Sequence, residues 1–320
     1  MEAGGAPGSP LPVVAVVGAT AAGKSGLSLD LAERLGGEVV NTDAMQVYRG
    51  MDIGTAKLPQ AERGGVPHHL LDVLDVSQSA SVAEFQRMAR EVVDDCRSRG
   101  VVPVLVGGSA LYTRAVLDRF EFPGTDPDLR AELDGELERV GPAALHARLA
   151  EVDPQAAARI EPMNGRRVVR ALEVVRLTGR PFTATLPAAE YAVPGAVQVG
   201  VRIPRDVLDT RIEQRVRQMW DAGLVEEVRR LVAAGLREGR TAERALGYRQ
   251  VLAFLDGATT EAEALEATVV GTRRFARRQL AWFDKDPRVT WVAWDDPDRV
   301  ERALDAVRGA GLRPPDPAAG

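Results

Sequence analysis

The chain has one cysteine, three histidines and only three lysines, and 5% of its residues are aromatic. A lone Cys96 excludes an intrachain disulfide and any zinc site built on cysteines. It agrees with the reducing cytoplasm expected for this protein. No apolar run approaches the ~20 residues that a membrane span needs, so no membrane partner is expected. Residues 1–11 are rich in Gly, Pro and Ala and lack the basic start of a secretory leader. They read as a frayed tail, as do residues 313–320. What remains is ordinary for a globular chain, at 45% hydrophobic and 27% charged. A length of 320 residues allows two domains, or one with an insertion.

Lysine scarcity leaves arginine to carry almost all positive charge; the exceptions are Lys24, Lys57 and Lys285. A net charge of −5 argues mildly against a nucleic-acid partner, but distribution matters more than the total. Arg273, Arg274, Arg277 and Arg278 recur at helical spacing with no interleaved acid. A solvated face is the usual reading of such a run. Four like charges repel, however, and a phosphate partner fits at least as well. Arg166, Arg167 and Arg170 repeat the pattern.

Apolar runs predict strands at residues 12–17, 38–41, 101–106, 198–203 and 289–294. Helical periodicity predicts helices at 25–35, 81–99 (Ser81 as cap, Glu84 completing a capping box), 109–117, 206–235 and 261–284. Their alternation implies an α/β fold with a parallel sheet. From 126 to 180 the pattern is purely helical, with breaks at Gly141-Pro142 and Asp153-Pro154. It reads as an insertion between a first core part (12–125) and the rest of the core with C-terminal helices (181–300). Residues 182–194 read as a connecting loop.

Gly18-Ala19-Thr20-Ala21-Ala22-Gly23-Lys24-Ser25 matches G-x-x-x-x-G-K-[ST] between a strand and a helix, the context that confirms a P-loop. Its backbone N–H groups and the helix dipole suit phosphate. Lys24 would neutralise it, and the Ser25 hydroxyl would hold Mg²⁺. The motif is shared by ATP-binding proteins, yet it specifies a phosphate chain rather than ATP. The 101–106 strand runs into Gly107-Gly108-Ser109 without the acid that an ATPase places there for the metal. The acid at a strand end is Asp43. Taken alone, Asp43 fits a helix N-cap as well as a catalytic role.

Further stretches resemble one family. They are Asp43-Ala44-Met45-Gln46-Val47-Tyr48-Arg49-Gly50-Met51-Asp52-Ile53-Gly54-Thr55-Ala56-Lys57, Val106-Gly107-Gly108-Ser109-Ala110-Leu111-Tyr112, Arg167 to Val174, Gly247-Tyr248-Arg249-Gln250 and Arg273 to Phe283. With the P-loop, they resemble the bacterial tRNA dimethylallyltransferases (IPP transferases) over residues 12–295. The resemblance implies a P-loop NTPase-like core with a helical insertion that grips the anticodon stem-loop. It also implies a Mg²⁺-dependent enzyme that moves a dimethylallyl group from its pyrophosphate to adenosine N6; separately from the resemblance, a monomer is expected. By position it makes Asp43 the general base, places pyrophosphate at Thr20 to Ser25 and gives Arg215 a part in handling it. The tRNA-contacting positions it implies are Asp43, Ala44, Met45, Gln46, Ser109, Arg130, Arg166, Arg167, Val168, Val169 and Arg170. Ser109 replaces the family's usual Thr and keeps the hydroxyl.

The chemistry of alkylating an amine with an allylic pyrophosphate asks for donors to the leaving group and a carboxylate for the proton. A P-loop with Asp43 supplies both. Two other enzymes compete with this reading: a small-molecule P-loop kinase, and a prenyltransferase acting on free adenine nucleotides. A non-catalytic RNA-binding module is disfavoured by the intact Gly23-Lys24-Ser25. His68 and His69 read as structural rather than metal ligands, because neighbours in a strand face opposite ways. Trp282 and Phe283 read as core in preference to base-stacking residues.

Overall fold

The computed structural model describes residues 11–120, 122–182 and 190–310. The expected tails fall outside these residues apart from Leu11, as does most of the expected 182–194 loop. The chain divides into two compact units: Arg119–Glu190, and the remainder on either side of it. The insertion expected at 126–180 lies within the first of these.

The larger unit is built on six strands: β1 (Val13–Val17), β2 (Gly37–Asn41), β3 (His68–His69), β4 (Val102–Gly107), β5 (Ala196–Arg202) and β6 (Val289–Ala293). All pairs are parallel, in the order β3-β2-β4-β1-β5-β6. The helices, in chain order, are α1 (Lys24–Leu35), α2 (Val82–Ser98) and α3 (Ala110–Leu117), then α4 (Pro127–Val140), α5 (Pro142–Val152), α6 (Pro154–Ala157) and α7 (Gly165–Thr178) of the smaller unit. They continue with α8 (Arg205–Asp221), α9 (Leu224–Ala233), α10 (Tyr248–Leu255), α11 (Glu261–Phe283) and α12 (Arg299–Gly309).

Strand β1 is fully buried and shows why a parallel sheet needs a continuous apolar run. Val13, Ala15 and Val17 join the core under α2, α3, α9 and α10. Val14 and Val16 join the core under α1, α8 and α12. The Ser81 hydroxyl caps α2 by accepting the Glu84 N–H at 3.5 Å. The helix expected at 206–235 is instead two, α8 and α9, because Gly223 adopts φ 94° between them. Three elements lacked a sequence signal: β3 is only two residues long, α10 follows a Gly247 at φ 88°, and α12 follows the last expected strand. No helix among the described residues is long and apolar enough to cross a membrane.

In the smaller unit, α4, α5 and α6 each begin with proline, where the missing N–H costs nothing. Asp126 and Asp153 cap their helices. Leu133, Leu145, Leu149, Ile160, Val168, Val169 and Leu172 form its core.

At the N-terminal edge of the sheet, Glu38 accepts hydrogen bonds from His69 Nε2 (2.7 Å), Cys96 Sγ (3.5 Å) and both terminal nitrogens of Arg99 (2.7 and 2.8 Å). Ligand-type atoms of Glu38, His69 and Cys96 lie within 4.8 Å of one another. Arg99 nevertheless occupies both carboxylate oxygens, and burial with Glu38 alongside pushes the thiol up to about 11. The cluster is thus a neutralised structural knot, and His69 acts there as a tether for β3.

Arg99 above all, aided by His69 and Cys96, holds the Glu38 carboxyl down to about 2 against an ordinary 4.5. A depressed carboxyl contributes stability above its unfolded pKa, and that stability is lost as pH falls through the folded value. Glu38→Gln should lower the denaturant midpoint at pH 7. Its gap to wild type should close as pH drops from about 4.5 toward 2.

Candidate functional site

The chain leaves β1 toward β2 on one side and leaves β4 toward β5 on the other. The loops after β1 and β4 therefore part at the carboxyl edge, the place where open α/β sheets bind ligands. The loop after β1 is the P-loop. Gly18 (φ 138°) and Gly23 (φ 98°) take conformations that favour glycine, and Ala21 sits at φ 62° between them. The first-turn N–H groups of α1 have no helical acceptor and face this loop. Lys24 Nζ donates to the Ala19 carbonyl at 2.7 Å. Desolvation pushes the Lys24 ammonium down to about 8, with Asp43 opposing and Arg215 reinforcing the shift. Lys24, Asp43 and Arg215 thus share one electrostatic environment.

The loop after β4 meets the loop after β2 and α11 with almost no space for side chains. A Cβ at Gly107 would lie 2.3 Å from Thr42 Oγ1, and one at Gly108 would lie 2.2 Å from Gln279 Nε2. Thr42 N–H donates to the Val106 carbonyl at 2.8 Å, and the Thr42 and Thr113 hydroxyls pair at 3.1 Å. Asp43 follows directly. Its N–H donates to Asn41 Oδ1 at 2.8 Å, and its Oδ1 accepts the Met45 N–H at 2.9 Å. No helix follows, so Asp43 is no helix cap. It closes a turn with one oxygen, and the other accepts no hydrogen bond among the described residues. Ser109 stands at the N-terminus of α3 and makes no capping bond with its hydroxyl. Tyr112, one turn on, is buried beside Tyr48 and Asp43, and burial first pushes its phenol up to about 12.

Helix α8 brings two arginines to the P-loop. Arg215 makes no hydrogen bond or ion pair among the described residues, and burial, then Arg211, lowers its pKa. Arg211 lies 4.7 Å above the Trp294 ring and 3.5 Å from the Ala21 carbonyl. Sequence reasoning missed Arg211, although its i−4 spacing from Arg215 was a usable signal.

The stretch after Asp43 is architecture. Buried Glu227 of α9 accepts N–H groups from Asp52 (3.1 Å), Ile53 (2.8 Å) and Gly54 (3.1 Å), and the Tyr248 hydroxyl at 2.6 Å. Lys57 donates to Asp52 and Asp72 at 2.6 Å each and to the Tyr48 carbonyl at 3.0 Å. Gln46 Nε2 donates to the Thr55 carbonyl at 3.0 Å. The 51–57 turn therefore holds Ala44, Met45 and Gln46 in place beside Asp43. Nothing in sequence singled out Glu227, whose backbone partners lie more than 170 residues away.

The other expected contact residues are sorted by packing. Arg274, Arg277 and Arg278 are exposed and make no ion pair among the described residues. Arg273 is instead turned to α8, bonding Glu213 at 2.8 Å and the Asp209 carbonyl at 3.2 Å. Trp282 is 46% exposed and continues the arginine face, contrary to the core role expected for it, whereas Phe283 is buried. In the smaller unit Arg166 and Arg167 are exposed. Arg170 and Arg130 both pair with buried Glu173, at 2.8 and 3.1 Å, and Arg170 also bonds the Pro123 and Gly124 carbonyls. Val168 and Val169 are core side chains, leaving only their backbone to meet a ligand.

The family model described as IPP transferase matches residues 46–286. A tRNA dimethylallyltransferase from Nocardioides sp. is 67% identical over 296 residues, covering 92% of this chain and 96% of that one. The crystal structure of the tRNA isopentenylpyrophosphate transferase from Bacillus halodurans superposes with TM-score 0.69 at 41% identity, covering 94% and 98% of the two chains. A eukaryotic dimethylallyltransferase described as acting on tRNA gives TM-score 0.79 at 25% identity, covering 96% and 81%.

The Glu227 anchor makes Gly54 a sensitive position. A Cβ there would lie 2.5 Å from the Tyr248 ring, which its bond to Glu227 holds fast. Gly54→Ala should cost about 1–3 kcal/mol of overpacking strain, read as a lowered denaturant midpoint. An unchanged midpoint would show that the ring can swing away.

Proposed function

The chain belongs to the IPP transferase family, and on that footing we propose that it transfers a dimethylallyl group from dimethylallyl pyrophosphate to the exocyclic N6 of the adenosine beside the anticodon of tRNA. The observation that carries this reading is the shared environment of Lys24, Arg215 and Asp43 at the carboxyl edge. Two cations and a loop of N–H donors suit a leaving pyrophosphate, and a carboxylate suits the incoming amine. The N6 lone pair forms the new C–N bond as the allylic C–O bond breaks. The electron pair leaves with pyrophosphate, whose growing charge meets Lys24, Arg215 and the P-loop amides. The N6 proton passes to the free oxygen of Asp43. Ser109, across the crevice, would donate to a ring nitrogen of the flipped-out base.

The exposed Ser25 hydroxyl has no protein partner among the described residues, which fits a hard cation that takes most of its other ligands from water and phosphate oxygens. Ser25 would hold Mg²⁺, and the ion would add positive charge at the pyrophosphate. A phosphoryl-transfer reading finds less support, because β4 ends in Gly107-Gly108-Ser109 with no carboxylate. The exposed Arg274, Arg277 and Arg278, which make no ion pair among the described residues, support a phosphate-rich partner, with Trp282 alongside; in the smaller unit Arg166 is likewise exposed. This favours a tRNA anticodon stem-loop over a free nucleotide.

Asp43→Asn should fold, bind an anticodon stem-loop and lose ~10²–10⁴ in single-turnover prenylation, the usual value of general-base help. Ser109→Thr should stay active, and Ser109→Ala should lose less than Asp43→Asn. Near-normal chemistry in Asp43→Asn would leave Asp43 as a turn residue alone.

The arginine face is tested by salt. Replacing Arg274, Arg277 and Arg278 with Ala should flatten the log–log dependence of stem-loop affinity on salt by about 0.7–0.9 per phosphate contact removed. Arg273→Ala should leave that slope unchanged and lower thermal stability, since its partner is Glu213.

A further inference from the structure

Gln279 lies on the inward side of α11, 5% exposed, with Ala276 and Phe283 on the same buried side. Its Oε1 accepts the Thr20 N–H of the P-loop at 2.9 Å. Its Nε2 donates to the Gly108 carbonyl, also at 2.9 Å. The amide meets both needs, since its oxygen accepts while its nitrogen donates. A Cβ at position 108 would lie 2.2 Å from that nitrogen and 3.4 Å from the Gly18 carbonyl oxygen. The glycine is therefore required by the amide's place between the two loops. The bond also removes the Thr20 N–H from the donors left for a phosphate.

The two loops hold different substrates in the reading given above, on which this inference rests. The P-loop side holds the donor through its pyrophosphate. The Gly108–Ser109 turn helps hold the acceptor base. Displacement requires the amine and the allylic carbon to approach to ~3–3.5 Å, and a misplacement of ~1 Å can cost ~10² in rate. We infer that Gln279 is a positioning residue that fixes the distance between the donor-holding and acceptor-holding loops, and so sets the reach of the prenyl carbon to the target nitrogen. It touches neither substrate. Its helix carries the unpaired Arg274, Arg277 and Arg278 on the outer face, so the strut belongs to the same rigid element that would meet RNA phosphates.

The test compares two variants. Gln279→Met keeps the length of the side chain and removes both hydrogen bonds. Gln279→Glu keeps the acceptor toward Thr20 but sets a carboxylate oxygen against the Gly108 carbonyl. Single-turnover prenylation of an anticodon stem-loop, with both substrates saturating, gives a rate constant and an amplitude. Both variants should slow the rate by ~10–10², with full amplitude and with stem-loop Kd within about threefold of wild type. Gln279→Glu should be the slower, although it is closer in shape to glutamine. Gly108→Ala, which displaces the amide from the other side, should reproduce the slow rate and serves if Gln279→Met does not fold. Rates within twofold of wild type, or a loss confined to amplitude, would overturn the inference and leave Gln279 as packing. If wild type itself fails to prenylate the stem-loop, the functional reading fails. If wild type works and the variants match it, only the role of Gln279 fails.

Discussion

Close approach of backbone to backbone at the carboxyl edge is the constraint on which the site depends. Thr42 lies against Gly107, and the Gln279 amide against Gly108, at distances that leave no space for a Cβ, while the Gly18 carbonyl lies in contact range of Gly108. Because the loop after β4 lies against both the loop after β2 and the P-loop, functional groups from distant sequence share one small volume without a long side chain to reach across. Asp43 and Lys24 sense each other electrostatically for this reason. The crevice comes from strand order, and its dimensions come from glycine.

Each unit neutralises a buried carboxylate with arginine. In the larger unit, Arg288 and Arg114 neutralise buried Asp118, with Arg288 also 4.1 Å above the Tyr191 ring. In the smaller unit Glu173 serves Arg130 and Arg170. Among the described residues the guanidinium of Arg215 inside the site and those of Arg274, Arg277 and Arg278 clustered on α11 make no ion pair. A net acidic chain can thus present localised positive potential where a polyanion would dock, and oppose non-specific adsorption elsewhere.

Much of the core could be read from the chain in advance, because a buried parallel strand is a bare apolar run and the P-loop carries its own context. The breaks in the smaller unit were legible for the same reason: Gly141-Pro142 and Asp153-Pro154 end one helix and begin another through local backbone preference. Helical spacing found the arginines of α11 but not their sorting. Arg273 and Arg274 are adjacent in sequence, and only the placement of Glu213 on α8 decides which of them faces inward. Trp282 and Phe283 divided the same way. Glu227 and Gln279 were invisible because their backbone partners are 173–175 and 171–259 residues distant, with no local pattern to mark them.

The knot at the opposite edge of the sheet has a practical consequence. Cys96 is the chain's sole sulfhydryl, fully buried under Glu38 and Arg99 and kept in its protonated form. Thiolate is the species that reacts with maleimides, iodoacetamides and oxidants. The native protein is therefore functionally thiol-free. A single cysteine introduced on its surface becomes a unique attachment point for a fluorophore or spin label, with Cys96 left in place.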